Sequence, residues 1–112
     1  MNEEIKIYIE KQIEEVEERL FKSKDNEDFR AGKKNNAILY QLKFLRDISE
    51  CVGIGEFKKI IESIDETLDD EIDSYLDMIE DISSDTYYVC NTAKRSVLRD
   101  VLVELDKYSL YE

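Results

Sequence analysis

Apolar residues recur at intervals of three and four along nearly all of this 112-residue chain, and no proline interrupts them. That spacing follows one face of a 3.6-residue helix, and the lack of proline lets each face run for many turns. Four stripes result. Ile5, Ile9, Ile13, Val16 and Leu20 predict a helix over 3–24, with Asn2 as its N-cap. Ile38, Leu42, Leu45, Ile48 and Val52, widened by Ala37, Tyr40 and Phe44, predict a second over 27–52. Phe57, Ile61, Ile64, Leu68, Ile72, Leu76 and Ile79 predict a third over 56–82, the most regular of the four. Cys90, Ala93, Val97, Val101, Leu105 and Tyr108, with Leu98 and Leu102 beside them, predict a fourth over 86–110.

The breaks between stripes are short. Gly53 suits the left-handed residue just past the second helix. Gly32, inside that helix, costs about 1 kcal/mol relative to alanine, so it implies a closely approaching neighbour or irregular first turns. Matched lengths and short connections imply a single all-α domain over 1–112. Its form is an antiparallel four-helix bundle, or two helical hairpins that complete their cores by dimerising.

Composition removes several functions. The chain has no histidine, which excludes histidine-based triads, histidine metal ligands and histidine pH switches. It has no glycine-rich phosphate loop. No run of about 18 apolar residues exists to cross a membrane, and the start at Met1, Asn2, Glu3 and Glu4 is acidic where a signal peptide is basic. Cys51 and Cys90 match no metal or redox spacing and read as small buried apolar residues of a cytoplasmic protein. The expectation is a protein that is not an enzyme, with no cofactor and no metal.

The charge is unevenly placed. Net charge is −12, yet residues 1–59 carry 13 acids against 12 bases, and residues 94–112 carry four of each. Residues 60–93 carry 11 acids and no base. Within them Glu62, Glu66, Asp69, Asp73, Asp77 and Glu80 form one row, about 27 Å long, bordering the apolar stripe of the third helix. Asp65, Asp70 and Asp81, with Glu71, broaden it. Six acid pairs lie four apart, 62/66, 65/69, 66/70, 69/73, 73/77 and 77/81, and repel by roughly 1–3 kcal/mol in sum. Glu62, Asp65, Glu66, Asp69, Asp70, Asp73, Asp77, Glu80 and Asp81 are the candidate surface for a basic partner. Solubility alone also accounts for an acidic face.

Other groupings are weaker. Glu15/Glu18 and Glu62/Asp65 echo the paired carboxylates with which all-helical nucleotide pyrophosphohydrolases hold Mg²⁺, but a whole predicted helix separates the pairs. Lys94, Arg95 and Arg99, like Arg30, Lys33 and Lys34, are expected to pair with acids on adjacent helices. Tyr87, Tyr88 and Tyr111 lie near helix ends, at a bundle rim or an interface.

The richness in Ile, Lys, Asn, Glu and Asp resembles small acidic helical proteins of phages and mobile elements, some of them inhibitors that imitate nucleic acid, including certain anti-CRISPR proteins. Ser84, Asp85, Thr86, Tyr87 and Tyr88 resemble the paired-tyrosine segment of nuclease-toxin immunity proteins over those five residues, without the proline that follows there. The expectation is a binding or inhibitor protein that engages a basic, nucleic-acid-handling protein and touches neither nucleic acid nor membrane itself. A structural bundle that forms homodimers and a toxin-immunity protein are alternatives, and a Mg²⁺-dependent pyrophosphohydrolase a remote one.

Overall fold

The computed structural model describes residues 2–23, 29–77 and 86–109. They form four helices: α1 (Asn2–Ser23), α2 (Phe29–Cys51), α3 (Ile54–Leu76) and α4 (Thr86–Ser109). No strand occurs among the described residues, and none of the helices is long and apolar enough to cross a membrane.

Side-chain pairs set the directions of the helices. Lys6 Nζ meets Glu50 Oε1 at 2.9 Å, so the start of α1 lies at the end of α2. The lysine is thereby pushed above its ordinary pKa of 10.5, first by its hydrogen bond to Glu50 and then by that carboxylate's charge. Lys58 Nζ meets Asp106 Oδ1 at 3.4 Å, so the start of α3 lies at the end of α4. Both hairpins are therefore antiparallel. The thiol of Cys90 donates to the Lys33 carbonyl oxygen at 3.7 Å, and Lys94 lies over the Tyr40 ring, 5.3 Å from its centre. The beginnings of α2 and α4 thus meet, and these two helices run parallel. The order is up-down-up-down.

The bundle is not square. In a square bundle α2 and α4 would stand on a diagonal, farther apart than sequence neighbours. Here α1 packs on α2, α2 on α4 and α4 on α3, while α1–α4 and α2–α3 contacts are slight. The α2–α4 diagonal is short, and α1 and α3 are pushed to opposite flanks. The dimensions agree: 46 × 35 × 21 Å, two helices thick. The radius of gyration is 15.2 Å, against about 13 Å for a rounder domain of this length.

The core comes mainly from the expected stripes. Ile5, Ile9, Ile13 and Val16 of α1, Leu42 and Leu45 of α2, Phe57, Ile61 and Leu68 of α3, and Val97, Leu98, Val101 and Leu105 of α4 make one buried cluster. The α2 stripe differs most from expectation. Tyr40 and Phe44 are 64% and 40% exposed, while Gln41 and Ser49 are buried. A helix held between two neighbours buries two sides, so a single stripe does not describe it. Ser49 returns its hydroxyl hydrogen to the Arg46 carbonyl at 2.6 Å. Gln41 Nε2, and Asn91 Nδ2 on α4, are buried donors with no acceptor among the described residues.

Several local expectations need correction. Gly53 is not a left-handed cap. Its φ of −74° and ψ of 167° make it the extended N-cap of α3, and its carbonyl accepts the Phe57 N–H at 2.9 Å. The third helix therefore starts at Ile54, two residues before the expected position. Its described part ends at Leu76, with Asp77 as the C-cap. Ile79, Ile82, Ser83 and Ser84 lie outside the described residues. Cys51 is exposed and Cys90 only half-buried, both as free thiols, so neither is the buried apolar residue expected. Gly32 sits in regular helix, and a Cβ there would meet nothing within 4 Å. Neither a close neighbour nor an irregular turn explains it. Gly32→Ala should therefore raise stability by about 1 kcal/mol and Tm by about 4 °C, read by thermal unfolding in circular dichroism.

Candidate protein-binding surface

The acidic face is built on α3, where each carboxylate's position follows from 100° per residue. Phe57, Ile61, Leu68 and Ile72 define the buried direction of this helix. Asp65 and Asp69 point about 70° to one side of it, toward α4, whereas Glu62, Glu66, Asp70, Asp73 and Asp77 point about 150° away. The expected single row bordering the buried face is therefore two groups with different surroundings.

The first group is neutralised within the fold. Arg95 Nη1 donates to Asp69 Oδ1 at 2.6 Å. Arg99 Nη2 donates to both Asp69 oxygens at 3.1 Å, and Arg99 Nε donates to Asp65 Oδ1 at 3.2 Å. Asp69 is thus held by two guanidinium groups, and Arg99 spans two carboxylates one turn apart. The Asp65 side chain is 20% exposed and that of Asp69 38%, so the network is only partly open to water. The expected pairing of Arg95 and Arg99 with a neighbouring helix is seen here, and Lys94 is engaged with the Tyr40 ring.

The second group has no counterion. Glu62, Glu66, Asp70, Asp73 and Asp77 are exposed, and none has an ion pair or hydrogen-bonding side chain among the described residues. They run along about 22 Å of helix. Glu71 is also exposed, to one side of the row. Glu80 and Asp81 lie outside the described residues. Three of the repelling pairs, 62/66, 66/70 and 73/77, remain between unpaired carboxylates, at about 1 kcal/mol in sum. The last turn of α3 contains no base, and Asp73 and Asp77 lie at its electronegative end. The fold derives no visible benefit from either arrangement.

The metal grouping does not assemble. Glu15 and Glu18 stand on α1, Glu62 and Asp65 on α3, and these helices occupy opposite flanks of the bundle. Asp65 is bonded to Arg99. No group of three or more metal-ligating side chains occurs among the described residues.

One feature was not legible in the sequence. A cleft of about 830 Å³ opens between α1 and α4, with α2 as its floor. Arg19, Glu15, Lys34 and Asp100 line it above Val16 and Leu42, so its charges are of both signs. The cleft exists because the α2–α4 diagonal is short and leaves α1 and α4 apart. Tyr87, 48% exposed, packs on Tyr75 with ring centres 4.6 Å apart, joining the start of α4 to the end of α3 as a bundle-rim residue. Tyr111 is outside the described residues.

No protein family, curated protein or solved structure matches the chain.

The division between paired and unpaired carboxylates predicts opposite signs for two similar substitutions. Asp69→Asn should destabilise by about 1 kcal/mol, because two arginines lose their acceptor charge. Asp73→Asn should be neutral or stabilise by a few tenths of a kcal/mol, because it relieves repulsion with Asp77. Urea unfolding of both variants, at low and high salt, measures the difference.

Proposed function

We propose that this is a non-enzymatic binding protein whose α3 carboxylates dock on a basic protein that handles nucleic acid. The observation that carries this reading is the row Glu62, Glu66, Asp70, Asp73 and Asp77, exposed and without counterions on a helix whose two remaining inward-turned acids are paired. Repulsion along the row and its position at the negative helix end oppose stability, and α1 places both signs on its own exposed face.

Charge spacing narrows the partner. The five carboxylates succeed one another every 5–6 Å or so, closer to the roughly 3.4 Å per phosphate of a single strand than to the 1.7 Å of a duplex. A partner groove lined by Lys and Arg for a phosphate backbone offers complementary charges at that density. Binding there would exchange phosphates or counterions for carboxylates, with association accelerated at low salt. Competition follows from geometry, since one groove cannot hold the acidic helix and a nucleic acid together. A phage or mobile-element inhibitor of a nuclease, a CRISPR effector or a transcription protein would act in this way. Glu80 and Asp81 would extend the row.

The test is capture from the native host with the wild-type chain beside a variant carrying Glu62→Gln, Glu66→Gln, Asp70→Asn, Asp73→Asn and Asp77→Asn. Asp65 and Asp69 stay intact, because their replacement perturbs the fold. The wild type should retain a strongly basic partner that moderate salt releases, and the variant should lose it while keeping its helicity. Adding the wild-type chain should then displace the partner's DNA or RNA. Undiminished nucleic-acid binding beside this protein rules out the competition mechanism, and equal capture by the variant rules out the acidic row.

A further inference from the structure

Two hairpins compose this fold, and the connection between them is unusually short. Only Val52 and Gly53 separate α2 from α3. Gly53 has φ −74°, already a helical value, and ψ 167°. Turning that ψ by about 150° to the helical value brings Gly53 into line with the helices on either side. With Val52 also helical, α2 and α3 would form one rod of about 70 Å. The Gly53 carbonyl already accepts the Phe57 N–H at 2.9 Å, four residues on, as it would within a continuous helix, so that bond survives straightening.

Straightening also leaves most packing unharmed. The α1–α2 and α3–α4 interfaces lie within the hairpins, and α2–α3 contacts are slight. What joins the hairpins is chiefly the α2–α4 seam. That seam re-forms unchanged if α2 of one chain meets α4 of another. Its opening breaks the Cys90–Lys33 hydrogen bond and the Lys94–Tyr40 contact, and both re-form when α2 of one chain meets α4 of the other.

We infer that a second copy of this chain is a partner: two molecules exchange hairpins about Val52–Gly53, each α1–α2 hairpin completing its core with the α3–α4 hairpin of the other. Hinges this short are a known route to such exchange. The inference is independent of the acidic face, which remains exposed in either form.

The experiment measures molar mass by light scattering from micromolar to millimolar concentration, for the wild type and three variants. Gly53→Ala weakens the N-cap of the bent form and favours the rod. A roughly fivefold helix preference acting in two hinges tightens dimerisation about thirtyfold. Gly53→Pro fits the bent φ but cannot continue a helix, and should remain monomeric. Gly55→Ala lies within α3 in both forms and should match the wild type. Exchange itself is read from a chain carrying Lys33→Cys and Cys51→Ser, which puts a second thiol on the residue whose carbonyl oxygen lies 3.7 Å from Cys90 Sγ across the seam. Oxidation should join two chains in the dimer and close a ring within one chain in the monomer. If Gly53→Ala stays monomeric at millimolar concentration, the inference is wrong. It is equally wrong if the dimer carries only intrachain bridges. Should Gly53→Pro fail to fold, the wild type, Gly53→Ala and the bridge assay still decide.

Discussion

The contact between α2 and α4 is the one on which the rest of the molecule rests. Each outer helix packs extensively on one inner helix, α1 on α2 and α3 on α4. Neither pair is a domain by itself, because a two-helix hairpin cannot enclose Leu45, Ile61 or Leu98 from all sides. All three are fully buried here. The short diagonal closes the core, determines the flat outline and opens the cleft between α1 and α4.

Charge is distributed in step with this geometry. From their residues α1 carries −3, α2 +3, α3 −6 and α4 +1. The two negative helices occupy the flanks and the two positive ones the middle. Every extensive contact of a flank helix is therefore with a helix of opposite sign, and the like-charged α1 and α3 make the slightest contact of any pair. Arg95 and Arg99 give this pattern atomic form by reaching from α4 to Asp65 and Asp69. The same reach sorts the α3 acids into those that hold the bundle together and those that face solvent.

Much of this was legible from the order of residues, for reasons that differ by helix. The α1 and α3 stripes read cleanly because each helix has one main neighbour, so Ile5, Ile9, Ile13 and Val16, or Phe57, Ile61 and Leu68, share one side. On α2 the pattern misled. Tyr40 and Phe44 fit the stripe by spacing, yet α2 is held between α1 and α4, and Gln41 is buried instead. The acidic row was legible in its spacing but not in its division. Which side of α3 meets α4 depends on how the helices are arranged, and a single helix's sequence does not encode that. Gly53 was recognised as the break between helices, but its role was reversed, since a glycine at a two-residue junction can close one helix or open the next.

The uneven flanks have a mechanical consequence. With α3 at −6 on one edge and α1 at −3 on the other, the molecule carries a permanent electric moment directed between those two helices. In the field of a positively charged body it experiences a torque as well as an attraction. Within about a Debye length, 8–10 Å at ordinary ionic strength, rotation is biased so that the α3 edge leads. Productive encounter is commonly limited by the small fraction of orientations that dock. A particle that turns before it touches searches fewer of them, and salt slows its arrival by removing the alignment together with the pull.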